Sequence, residues 1–496
     1  MNITKALYEL ANHSPEKVAL IEGMGASERQ LSFRELSEVV RSTAHQLTGK
    51  GLGEGSKVLL MQPVGIDLYV VLLACFSQGI TAIVIDPAVT RDVITYCCEQ
   101  TLPDAFVGSA KAHLLRLKHS GFRKIKIQLH TSGYVPFSER LCLSQLDGDC
   151  PVVNLNPDHP ALITLTSGSA GMPKIACRTH QFLIEQHHVL SSSLEHRTSD
   201  VDLVTLPIFG LANLASGMTS VIANTDLKYP AQVDSVAIVA QCKKYLVNRC
   251  AASPAFFKKL HADGNFPEFK TIFTGGAPVY PSFLKALSES EPDLEIVTVY
   301  GSTEAEPISH QKLSKLTAGQ VKAQSEGKGL LVGKPVPEIQ VMIEGEALGE
   351  ILVTGEHVLK GYLNTEKNKE TKVTLGGKIW HRTGDLGYLD EDENLWLMGR
   401  VNVSFLTKAG VTIYPFAIET MGMSIDGVQA CAVIEFAGKA TLCYTGSPAL
   451  EKLKSITINS GIEVWLPLPK IPVDSRHNAK VNYLELHALL VEIYGT

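Results

Sequence analysis

The sequence predicts an α/β protein, with a large N-terminal domain of doubly wound mixed or parallel sheets. Short β-branched runs such as KVLLMQ, ALITLT and EIVTVYG each end at a turn and alternate with helix-length segments through most of the chain. This alternation is typical of a parallel sheet covered by helices. After residue 340, EIQVMIEG, GEILVTG and LWLMGR follow one another at hairpin spacing. These later strands predict a small β-barrel-like part at the end of the large domain.

The chain is too long for one ordinary domain. It has 496 residues, of which 45% are apolar, so it can bury more than one core. Beyond Arg400 a final segment mixes short strands with a terminal helix. We therefore predict a large N-terminal domain over residues 1–401 and a small α+β C-terminal domain over residues 402–496.

Composition and charge exclude several classes of protein. The formal charge is −6, with acids and bases interspersed, so the chain lacks the basic footprint of a nucleic-acid binder. The ten cysteines show no CxxC spacing, which favours reduced thiols over a disulfide framework. The N-terminus resembles an amphipathic helix and not a signal peptide, and Asp67, Ser77 and Gln78 interrupt the apolar stretch 66–85. We expect a cytoplasmic protein with no transmembrane segment and no nucleic-acid partner.

Residues 164–174, TLTSGSAGMPK, form a hydroxyl- and glycine-rich turn that ends in a lysine. Glycines allow backbone N–H groups to approach phosphate oxygens, while hydroxyls and a lysine add donors and positive charge. The turn is not a Walker A loop, because the pattern GxxxxGK[ST] is absent. Pro173 also argues against a helix that starts directly at Lys174. A solvated Ser/Gly loop is the alternative. The predicted phosphate contacts are Thr166, Ser167, Gly168, Ser169, Gly171 and Lys174.

TSGSAGMPK resembles the [ST]SG[ST]TGxPK signature of the adenylate-forming superfamily, which comprises acyl-CoA synthetases, peptide-synthetase adenylation domains and luciferases. Ala170 departs from the pattern, because the family usually has threonine there. The resemblance implies ATP and Mg²⁺ as cofactors, and a reaction that converts a carboxylic acid to an acyl-AMP and pyrophosphate. It also implies that the small C-terminal domain is mobile.

Two further motifs follow in the family's order. TGGAP at 274–278 implies contact with adenine, although two glycines could also form a simple tight turn. YGSTE at 300–304 ends a strand at the edge where α/β ligand sites lie. The resemblance makes Thr303 and Glu304 catalytic and makes Glu304 the Mg²⁺ ligand, since magnesium prefers carboxylate oxygen. It assigns further nucleotide contacts to Gly275, Gly276, Ala277, Pro278, Tyr300, Gly301 and Ser302.

The remaining motifs surround the domain boundary. Asp385 in TGDLGYLD would accept the ribose hydroxyls, with a turn-capping aspartate as the alternative, and Arg400 would reach ribose or phosphate. Asn402 occupies the position of the family's hinge residue. Lys480, in PVDSRHNAKVN, corresponds to the catalytic lysine that neutralises charge near the α-phosphate.

Subgroup motifs resemble the β-lactone synthetases of bacterial olefin and β-lactone biosynthesis. These motifs are VDSRHNAK at 473–480, IDP at 85–87, LANLASGMTSVI at 211–222 and GGAPVYPSF at 275–283. The resemblance implies a hydrophobic β-hydroxy acid as substrate, closed to a β-lactone with loss of AMP. A complex with other enzymes of the same pathway is possible on this resemblance.

Three questions stay open at this point. The same fold could instead transfer the acyl group to CoA, to a carrier-protein thiol or to an amine, with a fatty acyl-CoA synthetase as the main alternative. A non-catalytic nucleotide-binding module would explain Ala170 and Asn402 as lost functional positions. Between the segments 201–210 and 210–222, the small residues Gly210, Ala212, Gly217 and Ser220 could leave room for an acyl chain or could allow close helix packing.

Overall fold

The strands form two large sheets and two small sheets in the computed structural model, which describes residues 1–86, 89–145, 148, 150–166, 172–474 and 480–495. The fold is mixed α/β, with a large N-terminal part and a small C-terminal part, as predicted. Within these ranges, no helix has the length and apolar content to cross a bilayer. All ten cysteines are free, and eight of them are buried.

The strands are numbered in chain order. They are β1 Val18–Glu22, β2 Arg29–Ser32, β3 Lys57–Met61, β4 Thr81–Val84, β5 Ala105–Gly108, β6 Ile127–His130, β7 Glu139–Arg140, β8 Pro160–Thr166, β9 Lys174–Thr179, β10 Val201–Val204, β11 Thr219–Ile222, β12 Arg249–Ala252, β13 Thr271–Gly275, β14 Glu295–Ser302, β15 Ala305–Lys312, β16 Leu330–Pro335, β17 Gln340–Glu344, β18 Gly349–Thr354, β19 Lys372–Leu375, β20 Lys378–Leu389, β21 Leu395–Arg400, β22 Phe405–Leu406, β23 Thr412–Ile413, β24 Val428–Phe436, β25 Lys439–Gly446 and β26 Val464–Pro467.

The helices are numbered in the same way. They are α1 Lys5–His13, α2 Phe33–Gly49, α3 Ile66–Ser77, α4 Arg91–Thr101, α5 Ala110–His113, α6 Leu115–Lys118, α7 Ser120–Arg123, α8 His180–Ser193, α9 Pro207–Ala215, α10 Ser235–Tyr245, α11 Pro254–Ala262, α12 Pro281–Ser290, α13 Ala318–Ser325, α14 Glu366–Thr371, α15 Pro415–Met423, α16 Leu450–Thr457 and α17 Tyr483–Tyr494.

The first large sheet has the strand order β7-β6-β5-β3-β4-β8-β9. Its strands run parallel except for the β8–β9 hairpin. The apolar stretch at 66–85 is the buried helix α3, then a turn, then β4, as the sequence predicted, and α3 packs among core residues on nearly every face. In the sequence, the serine-rich segment directly follows the carboxyl end of β8 at Thr166.

The second large sheet runs β17-β18-β20-β21-β16-β15-β14-β13-β12-β10-β11-β1-β2, with β19 paired to β20. Strands β11, β10, β12, β13 and β14 are parallel neighbours, whereas the pairs from β14 through β15 and β16 to β21 are antiparallel. The late hairpin strands thus continue the main sheet as an antiparallel part. This arrangement places the ends of β14, β20 and β21 near one another.

The small C-terminal part contains the sheet β24-β25-β26 and the helices α15, α16 and α17. Its core includes Ile413, Ile418, Val433 and Leu442. After Arg400 the chain turns at once, because the N–H groups of Val403 and Ser404 both donate to the Arg400 carbonyl. The turn agrees with a boundary near residues 401 and 402, which stays a prediction.

The small residues near α9 serve close packing. A Cβ atom on Gly210 would lie 2.1 Å from the hydroxyl oxygen of Tyr69, a fully buried side chain that also donates to the Pro207 carbonyl. Gly217 has φ +70°, and its Cβ would lie 2.8 Å from Leu10. At Gly210 and Gly217 these contacts favour close packing, one of the two interpretations of the small residues.

Candidate active site

The serine-rich turn connects two antiparallel strands. Thr166 at the end of β8 pairs with Lys174 at the start of β9. No helix begins at Lys174, in agreement with the prediction from Pro173. The predicted phosphate contacts Ser167, Gly168, Ser169 and Gly171, together with Ala170, lie outside the described residues. Thr166 and Lys174 mark the two ends of this turn.

Glu304 lies in the tight connection between β14 and β15. Its carboxylate oxygen Oε1 accepts hydrogen bonds from the Tyr362 hydroxyl and, at 3.4 Å, from Thr166 Oγ1. Its carbonyl accepts from the N–H of Leu359 at 2.7 Å. The side chain is only 7% exposed. The structure thus brings Thr166, at the end of β8, and Glu304 of the YGSTE motif together.

Tyr362 is fixed beside Glu304 by pairing to β9. A β-bridge joins Tyr362 to Ala176, and the Asn364 side chain accepts from the N–H of Ile175 at 3.1 Å. Two ammonium groups lie near the ring of Tyr362. Lys174 Nζ and Lys372 Nζ are each 5.4 Å from the ring centroid. This group of side chains is called the Glu304 cluster, and its members are Thr166, Lys174, Glu304, Tyr362, Lys372 and His381.

The electrostatics of the Glu304 cluster favour an anionic Glu304. Burial opposes ionisation, but the Tyr362 hydroxyl and the Lys174 ammonium favour the anion, and the pKa of Glu304 lies well below its ordinary value. Burial also lowers the pKa of His381 far below 6.5, so this ring is neutral at pH 7. We therefore attribute the ionised state of Glu304 at neutral pH to Tyr362 and Lys174.

Lys372 is a second cation whose charge is sensitive to its surroundings. Its pKa is lowered to about 7, chiefly by burial, with Lys174 adding repulsion and Glu304 opposing both. Its ammonium donates to the Leu359 carbonyl. In the β19–β20 hairpin, Lys372 pairs with His381. The cluster therefore combines one carboxylate with two lysines, a charge pattern suited to an anionic ligand.

Tyr300, Asp385 and Arg400 form a second group, called the Asp385 triad. The Tyr300 hydroxyl donates to Asp385 Oδ2 at 2.8 Å, and Arg400 Nη1 lies 3.0 Å from Asp385 Oδ1. Asp385 and Arg400 are also register partners in β20 and β21. Asp385 raises the pKa of Arg400 further, and the charge of Glu304 acts in the same direction. The two groups thus belong to one electrostatic site.

The TGGAP loop lies beside Tyr300. Gly275 ends β13 and pairs with Val299, and a Cβ atom on Gly275 would lie 2.2 Å from the Val299 carbonyl oxygen. Gly276 has φ +78°, a backbone conformation that favours glycine. Ala277 and Pro278 are half-buried beyond it. Backbone packing at Gly275 and the positive φ of Gly276 therefore explain why both positions are glycine. Their loop flanks the Asp385 triad.

The other predicted residues of YGSTE have different environments. Gly301 needs to be small, because its Cβ would lie 2.9 Å from the Ala305 carbonyl oxygen. The Ser302 hydroxyl accepts from the N–H of Glu304 at 3.3 Å, and the Thr303 carbonyl accepts from Arg178 Nη2 at 3.0 Å. The structure thus gives Gly301, Ser302 and Thr303 contacts that shape the hairpin around Glu304.

Lys480 and Asn402 lie in the C-terminal part. The N–H of Lys480 donates to Asp474 Oδ1 at 2.9 Å, and its carbonyl accepts from the N–H of Asp474 at 2.8 Å. The Lys480 side chain and Asn402 are exposed. Tyr483, three residues after Lys480, is within electrostatic range of Arg400. The hydrogen bonds described for Lys480 are those to Asp474, and its catalytic role stays a prediction.

A buried carboxyl links the C-terminal part to the TGGAP side. Glu419 of α15 accepts from the Tyr280 hydroxyl at 2.8 Å, from the Tyr483 hydroxyl at 3.4 Å and from the N–H of Val433 at 3.1 Å. Burial raises the pKa of Glu419 to about 7, although these donors oppose the shift. These four residues are called the Glu419 network.

Sequence reasoning missed several members of these groups. Tyr362 could have been suspected from the glycine before it in KGYLN, and His381 from its place directly before RTGD. Lys372, Arg178 and Glu419 carry no local signal, because each belongs to the site only through tertiary pairing. In the described ranges, no group of three or more His, Cys, Asp or Glu side chains could hold a metal ion.

Comparisons with known proteins agree with this geometry. A family model described as AMP-binding enzyme matches residues 7–363. An olefin beta-lactone synthetase from Stenotrophomonas maltophilia is 28% identical, covering 97% of this chain and 96% of its own length. The long-chain-fatty-acid–CoA ligase FadD13 of Mycobacterium tuberculosis is 24% identical over 87% of this chain and 85% of its own. The solved amide bond synthetase McbA from Marinactinospora thermotolerans superposes with a TM-score of 0.82 at 18% identity, covering 98% of this chain and 99% of its own.

Proposed function

Because the chain belongs to the AMP-binding enzyme family, we propose that it uses Mg·ATP to activate a hydrophobic β-hydroxy acid and then closes that acid to a β-lactone. In the first step a carboxylate oxygen of the substrate bonds to the α-phosphorus, and the bond to the β-phosphate breaks, which releases pyrophosphate. In the second step the β-hydroxyl oxygen bonds to the acyl carbon while the acyl–phosphate bond breaks. AMP leaves, and the hydroxyl proton is released.

The geometry supports a nucleotide site at this place. Lys174 and Lys372 would bind phosphate oxygens, and Asp385 would accept the ribose hydroxyls beside Arg400. Tyr300 and the Gly275–Gly276 backbone would flank adenine. Residues of both large sheets, Lys174 on β9 of the first and the others on the second, could therefore bind the whole nucleotide near strand ends, as in other α/β sites.

Glu304 fits the metal that this chemistry needs. Its carboxylate is a hard oxygen ligand that stays ionised at neutral pH. Magnesium in phosphate sites is usually held by one or two carboxylates plus substrate phosphates, so a single glutamate is sufficient. Bound Mg²⁺ would supply charge neutralisation for the phosphate oxygens.

The proposal of lactone closure rests on one observation, the similarity to an olefin beta-lactone synthetase over almost the whole of both chains. Closure needs no external acceptor, so positioning of the substrate's own hydroxyl would supply much of the rate. The second candidate is an acyl-CoA synthetase, favoured by the match to a fatty acyl-CoA ligase over 87% of the chain.

The decisive test offers racemic 2-alkyl-3-hydroxy acids with Mg·ATP and no CoA. We expect one AMP and one pyrophosphate per β-lactone, with the lactone detected by NMR. AMP release that requires CoA and yields a thioester would instead support the second candidate. The proposal would be contradicted if neither these hydroxy acids nor a simple fatty acid caused any release of pyrophosphate.

Lys480→Ala tests the proposed catalytic lysine. We expect acid-dependent pyrophosphate release to fall about 100-fold or more, because the ammonium stabilises charge that develops only in the transition state. ATP binding, measured by calorimetry, should change little. Lys470→Ala removes an exposed lysine of the same part and is the matched control. Pyrophosphate release unchanged in Lys480→Ala would remove this assignment.

A further inference from the structure

The Glu419 network joins three segments that are far apart in sequence. Tyr280 belongs to the large N-terminal part and follows Pro278 of the TGGAP loop by two residues. Glu419 lies on α15 of the small part, and Tyr483 is the first residue of the terminal helix α17. The Tyr280–Glu419 hydrogen bond of 2.8 Å therefore crosses between the two parts.

The carboxyl of Glu419 is enclosed and well satisfied. It is 1% exposed, and its oxygens accept from two phenol hydroxyls and one backbone N–H. A buried carboxyl contributes little net stability compared with an apolar side chain of similar size, because desolvation offsets its hydrogen bonds. Its directional bonds instead define how the surrounding elements are oriented.

The segment held by this carboxyl carries Lys480. Two hydrogen bonds join Asp474 and Lys480, and the N–H of Asn482 donates to the Pro472 carbonyl at 2.9 Å. The Asn482 side chain then caps α17 by accepting from the N–H of Glu485. Lys480 is thus fixed to Tyr483 by a short, hydrogen-bonded stretch of chain, so a shift of Tyr483 would move the lysine.

We propose that Glu419 is a positioning residue, which ties Tyr280 of the large part to Tyr483 and so holds Lys480 in place for adenylation. This inference rests on the proposed function, because it assumes that Lys480 acts in the first step. Tyr280 and Tyr483 serve as the two ends of the link, and neither needs to touch the substrate. The link should therefore affect turnover far more than ATP affinity.

Tyr280→Phe is the sharpest variant, because it removes one hydroxyl and leaves the ring. We expect kcat for acid-dependent pyrophosphate release to fall about 10-fold, the effect of one hydrogen bond to a carboxyl, with KM for ATP changed less than about twofold. Tyr229→Phe, on an exposed tyrosine, is the matched control. An unchanged kcat in Tyr280→Phe would overturn the inference.

A double-mutant cycle separates positioning from general stability. If Tyr280 acts through Lys480, Tyr280→Phe should cause no further loss of activity in the Lys480→Ala background. An equal 10-fold loss in both backgrounds would overturn the inference, because it would show that the two residues act independently. Glu419→Gln, which keeps the size of the side chain, should show the same coupling to Lys480.

Hydrogen exchange does not require turnover, so it tests the link between Tyr280, Glu419 and Tyr483 separately from the proposed function. Hydrogen exchange of the amides in 480–486 should be faster in Tyr280→Phe and in Glu419→Gln than in the wild type and Tyr229→Phe. Exchange that is unchanged in both variants would overturn the link even if the enzyme is active. A wild type that releases no pyrophosphate with any acid would contradict the proposed function, whereas faster exchange would still support the link.

Discussion

Glu304 and Glu419 are both buried carboxyls, but their surroundings shift their pKa values in opposite directions. Glu304 is 7% exposed and Glu419 is 1% exposed. The pKa of Glu304 lies well below its ordinary value, whereas the pKa of Glu419 is raised to about 7. Burial raises the pKa in both cases. The difference therefore comes from the neighbouring groups and not from the degree of burial.

Cations distinguish the two regions. Lys174 acts on Glu304 beside the Tyr362 hydroxyl, so the Glu304 cluster keeps an anion ready for a metal. Glu419 receives hydrogen bonds from Tyr280, Tyr483 and a backbone N–H, which are neutral donors. The first carboxyl is suited to bind a charged ligand. The second is suited to connect two parts of the chain.

The largest expected effect comes from Glu304→Ala. We expect kcat/KM for Mg·ATP in acid-dependent pyrophosphate release to fall about 100- to 1,000-fold, because the proposed metal ligand is lost. Titration with Mg²⁺ at fixed ATP should show a higher magnesium requirement. Glu338→Ala, on an exposed glutamate, is the matched control. An unaltered magnesium dependence would count against a metal role for Glu304.

The second prediction concerns stability and pH at Glu419. Its folded-state pKa of about 7 lies above the ordinary value of 4.5. The unfolded carboxyl therefore ionises first as pH rises, and the free energy of unfolding falls between pH 4.5 and 7. The fall should be on the order of 3 kcal/mol. Below pH 4.5 and above pH 7 this contribution should be constant.

Urea unfolding of the wild type and of Glu419→Gln at pH 5.0 and 7.5 measures the pH-dependent contribution of Glu419 to the free energy of unfolding. The wild type should lose its stability advantage over the variant as pH rises. Tyr280, Tyr483 and Cys431 face Glu419, but burial raises their pKa values well above the ordinary values, so they stay neutral in this range. A pH-independent difference between the two proteins would show that Glu419 is not shifted.

The smallest expected effect comes from Tyr362→Phe. Loss of the hydroxyl removes one donor to Glu304 but leaves Lys174 in place, so the carboxylate should stay ionised at pH 7. We expect kcat/KM for Mg·ATP to fall about 3- to 10-fold, consistent with one hydrogen bond to a charged group. Tyr229→Phe again controls for loss of a phenol hydroxyl. A loss as large as that of Glu304→Ala would mean that Tyr362 itself contacts the reacting groups.

Much of the fold could be predicted because its signals are local. KTIFTGG and EIVTVYG became β13 and β14, and the apolar stretch at 66–85 became a helix, a turn and a strand. The resemblance to the adenylate-forming superfamily also predicted that Tyr300, Asp385 and Arg400 would line one nucleotide site. Their contacts at 2.8 and 3.0 Å agree with that expectation.

The rest of the site depends on long-range pairing. Tyr362 reaches Glu304 only because its segment bridges to β9, and Lys372 reaches the cluster only through the β19–β20 hairpin. Neither pairing leaves a pattern in the residues themselves. The small residues of 207–222 also show the limit of sequence reasoning, since only the position of Tyr69 decides that Gly210 serves packing.

The most direct test of the account is a crystal structure with Mg²⁺ and a non-hydrolysable ATP analogue. We expect adenine beside Tyr300 and Gly276, ribose hydroxyls on Asp385, phosphates near Lys174 and the metal on Glu304. A nucleotide bound elsewhere, with the Glu304 cluster and the Asp385 triad both free of it, would contradict the account.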